Sequence, residues 1–311
     1  MMLDYDFSGH VLCMGSNNMD LVMFMEKLPL PGQTLLTDNF NMFPGGKGGN
    51  QAVTAATLGA QVEFFGMLGD DEMSSQLLNE LTSKGIGIEG IKVRNGSTAG
   101  VAMIWVDSKG ENSITFTPGA NVLLREEDVE LNENMFQQGA ILLITMEIDP
   151  KTVYAAIRMA KKHGMFVILD PAPAQSEKIP DDIPKLIDIV KPNETEAEWL
   201  TDIKVVDEES AKLAVQKLLD MGFKHPIVTL GSKGAVVNHG NDITVIEPYS
   251  VETIDSTAAG DVFSGALAAA LSKKMTYGQS LEFAKKAAAL STTRKGAQTS
   301  VPKLNEVEEI L

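Results

Sequence analysis

The sequence is poor in the features that would place a protein in an oxidising or membranous setting. It holds a single cysteine, Cys13, so no internal disulfide can form and a reducing compartment is expected. Cys13 stands in the apolar run 10–15 and reads as core rather than as a nucleophile. Basic residues are scarce: 26 face 42 acidic ones, for a formal net charge of -16. That balance argues against a general nucleic-acid binder and against attraction to an anionic membrane. Small anions stay open, since backbone amides and single cations can hold them inside an acidic protein. No apolar run approaches the roughly 18–20 residues that cross a bilayer, and the N-terminus lacks a basic segment followed by an apolar one. A soluble, cytoplasmic protein is expected. Internal repeats, low-complexity tracts and flexible linkers are also missing. The 311 residues therefore read as one domain, 1–311, large enough to bury a core and carry an insertion.

What is present is organised around residues 255–264, DSTAAGDVFS. They join a strand (243–246 and an irregular run beyond it) to a helical run, 262–271. Ala258, Ala259 and Gly260 have almost no side chain, so an incoming group can approach the amides of the first helical turn, which have no partner within the helix. Such a turn is an anion site. Asp261 follows at once. A carboxylate beside an anion hole is the arrangement that deprotonates a hydroxyl attacking a phosphate. Taken alone, Asp255 and Asp261 read equally as a helix cap and a first-turn acid.

Upstream, the strand 10–15 ends at a polar turn, 16–20, which suits either ligand contact at a strand end or plain turn chemistry. Strands 21–24 and 34–43 flank the breaker 28–32 without helical periodicity. A hairpin, 98–106 and 112–117 about the turn 107–110, completes a small β element outside the main layer. It is expected to act as a lid inserted at about 21–43 and 95–118. Between these segments, PGGKGGN at 44–50 opens a helix through 51–58. It is not a Walker loop: Asn41 stands where that pattern needs glycine, and Gly48 where it needs Ser or Thr. The run is either a flexible loop or a backbone that a ligand approaches closely. Gly85, Gly87 and Gly90 match a dinucleotide spacing but follow a helix (73–84) and precede a strand (91–94), the reverse of the required context.

From residue 140 strands and helices alternate: strands 140–145, 165–169, 187–190 and 226–230, helices 151–163, 194–200 and 208–221. Strands that are apolar throughout, interleaved with amphipathic helices, indicate a mainly parallel sheet covered on both faces. Glu147, Asp170 and Asn193 fall at strand ends. Asn193 and Glu196 have capping-box spacing. Thr229 to Gly234, TLGSKG, is a hairpin turn or a phosphate-contacting turn. A helix at 280–291 and a polar loop at 292–300 close the pattern.

Five motifs, GGKGGN (45–50), PNETEAE (192–198), TLGSKG (229–234), DSTAAGD (255–261) and TRKGAQTS (293–300), stand in an order and spacing that resemble the ribokinase-like members of the PfkB sugar-kinase family over nearly the whole chain. The resemblance implies a three-layer α/β/α domain with a mainly parallel sheet and a small β lid that also forms a homodimer contact. It implies transfer of the ATP γ-phosphoryl group to the primary hydroxyl of a sugar, most simply ribose. Asp261 would be the base, with the amides of Ala258, Ala259, Gly260 and Asp261 holding charge on the phosphate. A loose transition state needs little activation of the nucleophile, so an ordinary carboxylate can serve. Sugar contacts would come from Asn18, Met19, Asp20, Gly46, Lys47, Gly48, Gly49, Asn50, Glu147 and Asp261. ATP would lie along Asn193, Thr229, Leu230, Gly231, Ser232, Lys233, Gly234, Gly260 and Asp261, with Mg2+ organised through water by Asn193 and Glu196. Potassium would be held by oxygens of Asp255, Thr257, Ser291, Arg294, Gly296 and Ser300. The chain departs from the family pattern at Gly49 (usually Ala), Ser256 (commonly Thr) and Ala284, where Asn or His often meets adenine. Rival readings are a kinase for 2-deoxyribose, another sugar or a nucleoside, a non-catalytic sugar or nucleotide sensor on the same fold, and a dehydrogenase.

Overall fold

The computed structural model describes residues 3, 5–37, 39–109, 111–240 and 242–309. Position 38 of the expected strand 34–43, position 110 of the expected turn and the last two residues of the expected single domain lie outside the described residues, as do positions 1, 2, 4 and 241. The strands are β1 (His10–Met14), β2 (Asn18–Phe24), β3 (Asn39–Gly45), β4 (Val62–Gly69), β5 (Gly87–Arg94), β6 (Gly100–Val106), β7 (Asn112–Thr117), β8 (Gly139–Thr145), β9 (Phe166–Asp170), β10 (Ile189–Val190), β11 (His225–Thr229), β12 (Ala235–His239) and β13 (Asp242–Ile246). The helices are α1 (Lys47–Thr57), α2 (Glu72–Ser83), α3 (Glu126–Leu131), α4 (Glu133–Gln138), α5 (Pro150–Lys162), α6 (Glu194–Thr201), α7 (Glu208–Met221), α8 (Ala259–Ser272), α9 (Tyr277–Ser291) and α10 (Leu304–Glu308).

The large sheet runs β13-β12-β11-β10-β9-β8-β1-β4-β5, parallel from β5 to β11 and antiparallel at the β11-β12-β13 edge. Its central strands are apolar on both sides because both sides are covered. Val11, Cys13, Ile141 and Leu143 point into one buried cluster with α1, α8 and α9. Leu12, Met14, Leu142 and Ile144 point into the opposite cluster with α5, α6 and α7. The period of two along a strand thus assigns alternate residues to two cores, and the three-layer α/β/α expectation holds. The second sheet, β3-β2-β6-β7, is separate.

Strand order reverses at β1, whose neighbours are β4 and β8. The crevice outside the carboxyl ends of β1 and β8 is the topological switch point, where open α/β sheets bind ligands. Three boundaries differ from the sequence reading. Asn18, Met19 and Asp20 are not a turn but the start of β2, held by pairing to β3 on one side and β6 on the other. The glycine-rich run is not a loop ahead of the helix; α1 begins at Lys47. Residues 119–138, given no structure from sequence, form a short 3-10 segment (Gly119–Leu123) followed by α3 and α4.

Candidate active site

The site is built where α1 and α8 start. Most long helices here are capped by a side chain: α2 by Asp71, α5 by Asp149, α7 by Asp207 and α9 by Thr276. The N-caps of α1 and α8 are Gly46 and Ala258, and neither makes a side-chain cap. Gly46 has φ 82, a left-handed conformation that glycine adopts without cost. Gly48 meets the backbone of Gly15 so closely that a Cβ would lie 2.7 Å from the Gly15 carbonyl carbon. This contact seats α1 on the end of β1. Ala258 has φ 59, which costs a non-glycine residue roughly 1–2 kcal/mol. The strained residue turns the chain sharply into α8, whose Ala259 amide donates to the Ser256 carbonyl while no side chain caps the amides that follow.

Asp261 lies in that first turn and is 5% exposed, while the adjacent Gly260 reaches the surface. Asn50 Nδ2 donates to Asp261 Oδ2 at 2.9 Å and Gln51 Nε2 to Oδ1 at 3.3 Å, so both amides come from the first turn of α1. Gln51 also donates to Asp170 Oδ2 at 2.8 Å. Asp170 in turn pairs with Lys191 Nζ at 3.0 Å, and Lys191 reaches the Gly260 carbonyl at 3.3 Å. Sequence reasoning placed Asp170 at a strand end and missed Gln51 and Lys191, which carry no motif spacing of their own.

At the switch point, Ser16 donates to Glu147 Oε2, and the Lys47 amide donates to the same oxygen at 3.0 Å. Burial pushes the Glu147 carboxyl up despite the neighbouring Lys47 ammonium. Asp20 is pushed up to about 7 by burial, then by the charges of Glu147 and Asp261. Lys47 is held above the usual lysine range chiefly by Asp261, against the cost of burial. Asn18 Oδ1 accepts from Asn121 Nδ2 at 2.8 Å. Asp20, Lys47, Asn50, Glu147 and Asp261 are thereby linked by contact or charge around one crevice, and Gly46 lies against the backbone of Asn18 beside them.

Three expected contacts are different in kind. Met19, alternating with Asn18 and Asp20 on β2, turns its side chain to the other face, into a cluster with Leu68, Leu77 and Ala99. Gly48 and Gly49 are buried against Gly15 and Asn17, so they pack α1 rather than line the crevice.

Asn193 and Glu196 form a complete capping box: Glu196 N donates to Asn193 Oδ1 at 2.9 Å, and Asn193 N to Glu196 Oε2 at 2.9 Å. Glu196 is buried, and desolvation followed by the charge of Asp170 raises its pKa. Thr229 donates to the Pro192 carbonyl, so the hairpin turn and the capping box adjoin. Leu230 is buried, whereas Gly231, Ser232 and Lys233 are exposed and Gly234, at φ 89, closes the turn.

Asp255 Oδ1 accepts from Thr257 N and Oγ1, and Oδ2 accepts from Gly296 N at 2.9 Å. Burial opposes its charge, but the Gly296 amide and Thr257 outweigh it, and its pKa lies below the ordinary value. The two segments expected to hold potassium therefore touch. Ser291 and Ser300 are buried, with hydroxyls donating to Ala288 and Ala297 carbonyls, and Arg294 pairs with Glu306. Ala284 is wholly buried in the core, so its side chain offers nothing to an adenine. A surface groove lined by Phe43, Pro44, Lys84 and Gln298 lies outside this constellation, and the convergent polar groups locate the chemistry instead.

Comparison with known proteins agrees with this geometry. The description "pfkB family carbohydrate kinase" matches residues 8–304. A ribokinase of Haemophilus influenzae is 40% identical over 298 residues, 96% of this chain and 97% of its own. A deoxyribokinase of Salmonella typhi is 34% identical over 97% of this chain and 98% of its own. The structure of Arabidopsis thaliana ribokinase complexed with ribose and ATP superposes with a TM-score of 0.90 at 31% identity, covering 97% of this chain and 98% of that one. The match runs across nearly the whole length, and this chain belongs to the pfkB family of carbohydrate kinases.

Proposed function

We propose that this protein transfers the γ-phosphoryl group of ATP to the primary hydroxyl of D-ribose, giving D-ribose 5-phosphate. The observation that carries the reading is Asp261, a buried carboxylate in the first turn of a helix whose N-terminal amides are left without a side-chain cap. The sugar occupies the crevice between β2 and α8, where Asn18, Asp20, Lys47, Asn50 and Glu147 supply both donors and acceptors. Asn50 and Gln51 hold both oxygens of Asp261 in place, so one lone pair stays aimed at the acceptor hydroxyl. Asp261 takes the hydroxyl proton as the oxygen attacks the γ-phosphorus. The amides of Gly260 and Asp261 then receive charge that develops on the transferring group, the Ala259 amide being held by the Ser256 carbonyl. The ATP phosphates lie toward Asn193 and the turn 229–234.

Two ions fit the residues present. A magnesium ion, which keeps most of its water and binds phosphate oxygens, suits Asn193 and Glu196 as water-linked partners, Glu196 being a buried carboxylate beside a second acid, Asp170. When bound, it neutralises phosphate charge. Potassium suits the junction that Asp255 makes with Thr257 and Gly296, with further oxygens from Ser291, Arg294 and Ser300; it would steady the turn leading to Ala258. The small sheet serves as the lid. Its exposed Phe40, Met42 and Met103 form an apolar face of the kind that marks an interface, which supports a homodimer through the lid.

A coupled ADP-release assay over ribose, 2-deoxyribose, other sugars and nucleosides tests the reading. Highest kcat/KM on ribose is expected, with activity falling when K+ is replaced by Na+. No turnover of any sugar would leave only a sensor on this fold, and higher kcat/KM on another acceptor would reassign the substrate.

A further inference from the structure

Gln51, Asp170 and Lys191 stand outside all five motifs, yet they close a ring of contacts around Asp261. Gln51 Nε2 donates to Asp261 Oδ1 at 3.3 Å and to Asp170 Oδ2 at 2.8 Å. Lys191 Nζ meets the same Asp170 oxygen at 3.0 Å and donates to the Gly260 carbonyl at 3.3 Å. The chain itself completes the ring, since Gly260 directly precedes Asp261. Each of the three residues is 4% exposed or less. Asp170 Oδ2 takes a third donor, the Ser264 hydroxyl at 3.2 Å, whereas Oδ1 finds none among the described residues. One oxygen therefore holds Gln51 and Lys191 at the same time.

Stability gives little reason to bury this ion pair, because an apolar pair of similar volume often serves a core as well. Its place in the fold gives another. The Gly260 carbonyl and the Asp261 amide are the two ends of one peptide group. A cation on the oxygen draws electron density from the nitrogen end and makes the N–H a stronger donor, a cooperative gain of about 10–30% per bond. Resting on the phosphoryl-transfer reading above, we infer that Lys191 is a positioning residue that polarises the Gly260–Asp261 peptide, strengthening an amide that receives charge from the transferring group, while Asp170 holds Lys191 in place and fixes Gln51 on the base. The carbonyl and N–H of a trans peptide point in opposite directions, so Lys191 acts from behind the turn and leaves the phosphate side to the amides. One buried pair thus serves the base and the anion-binding turn together.

The experiment measures kcat, KM for ATP and Tm in the wild type, Asp170→Asn, Lys191→Met and the double variant Asp170→Asn/Lys191→Met, on whichever sugar the wild type turns over fastest. Lys191→Met leaves Asp170 without its cation, so kcat and Tm are both expected to fall. The double variant removes that stranded charge. It is expected to regain most of the lost Tm but to keep a kcat about tenfold below that of Asp170→Asn, the low end of what a hydrogen bond to a charged group contributes, with KM for ATP changed less than about twofold. Should neither methionine variant fold, Lys191→Gln, which can still donate to Asp170 but carries no charge, is expected to show the same loss of kcat. A double variant whose kcat recovers together with its Tm would make the pair purely structural and overturn the inference. A rise in KM for ATP as large as the fall in kcat would overturn it too, by making Lys191 a direct nucleotide contact. A wild type that phosphorylates no sugar overturns the kinase reading itself, and the inference with it.

Discussion

The two edges of the large sheet treat buried acids in opposite ways. At the amino edge the wholly buried acid among the described residues is Asp188, met by Lys161 Nζ, Lys224 Nζ at 2.7 Å, Tyr5 OH at 2.7 Å and the Val167 amide at 2.8 Å. Two cations serve one anion there, and the carboxylate oxygens are saturated. At the carboxyl edge Asp20, Glu147, Asp170, Glu196 and Asp261 share Lys47 and Lys191, and the acids Asp20, Glu147 and Glu196 sit above their ordinary pKa chiefly because burial strips water from them, with neighbouring acids adding to the effect. The first arrangement stabilises the fold. The second is a standing excess of negative charge that folding alone gives no reason to keep, and it lies at the switch point, where it can bind hydroxyls, offset a dication and remove a proton.

Substitutions should separate the two edges. The largest effect on stability is expected from Asp188→Asn, which strands two lysines: loss of about 3–5 kcal/mol, seen as a fall in Tm of roughly 10 °C, with kcat of the folded fraction unchanged. A smaller change of opposite sign is expected from Asp20→Asn. Folded Asp20 titrates near 7 against an ordinary 3.8, so the folded protein holds that proton over the interval while the unfolded chain has lost it. Stability is therefore lost as pH rises from about 4 to about 7, and the loss is complete and level above that. Asp20→Asn should raise Tm by a few degrees at pH 8 and by almost nothing at pH 4, while raising KM for the sugar. A lower Tm at pH 8 would place Asp20 with Asp188 among the structural acids. The smallest effect belongs to Cys13→Ala, a buried apolar site: about 1 kcal/mol of stability and full activity, checked by denaturation and the coupled assay.

Much of this was legible in the residues. Parallel strands declared themselves because burial on both faces removes the polar alternation that would otherwise blur them, and the run 255–261 announced a helix start by its small residues. The misreadings share a cause: local chemistry was overruled by distant partners. Asn18 and Asp20 are turn formers, yet they pair in β2 because β3 and β6 flank them. Gly48 and Gly49 disfavour a helix, yet α1 includes them because a larger residue would collide with Gly15 or Asn17. Asn121 left no local signal at all. Its partners Asn17 and Asn18 are more than a hundred positions away, and only the folded chain brings them together. Lys191 and Gln51 were missed for the same reason.

The claim that the carboxyl-edge acids are kept for chemistry is tested most directly by measuring kcat and Tm together for Asp261→Asn. The amide keeps the shape of the carboxylate while removing one negative charge from the excess. The expected result is a fall in kcat of about 10²–10⁴-fold with Tm unchanged or higher. A variant that turns over at the wild-type rate, or one that loses several degrees of Tm while keeping its kcat, would contradict it.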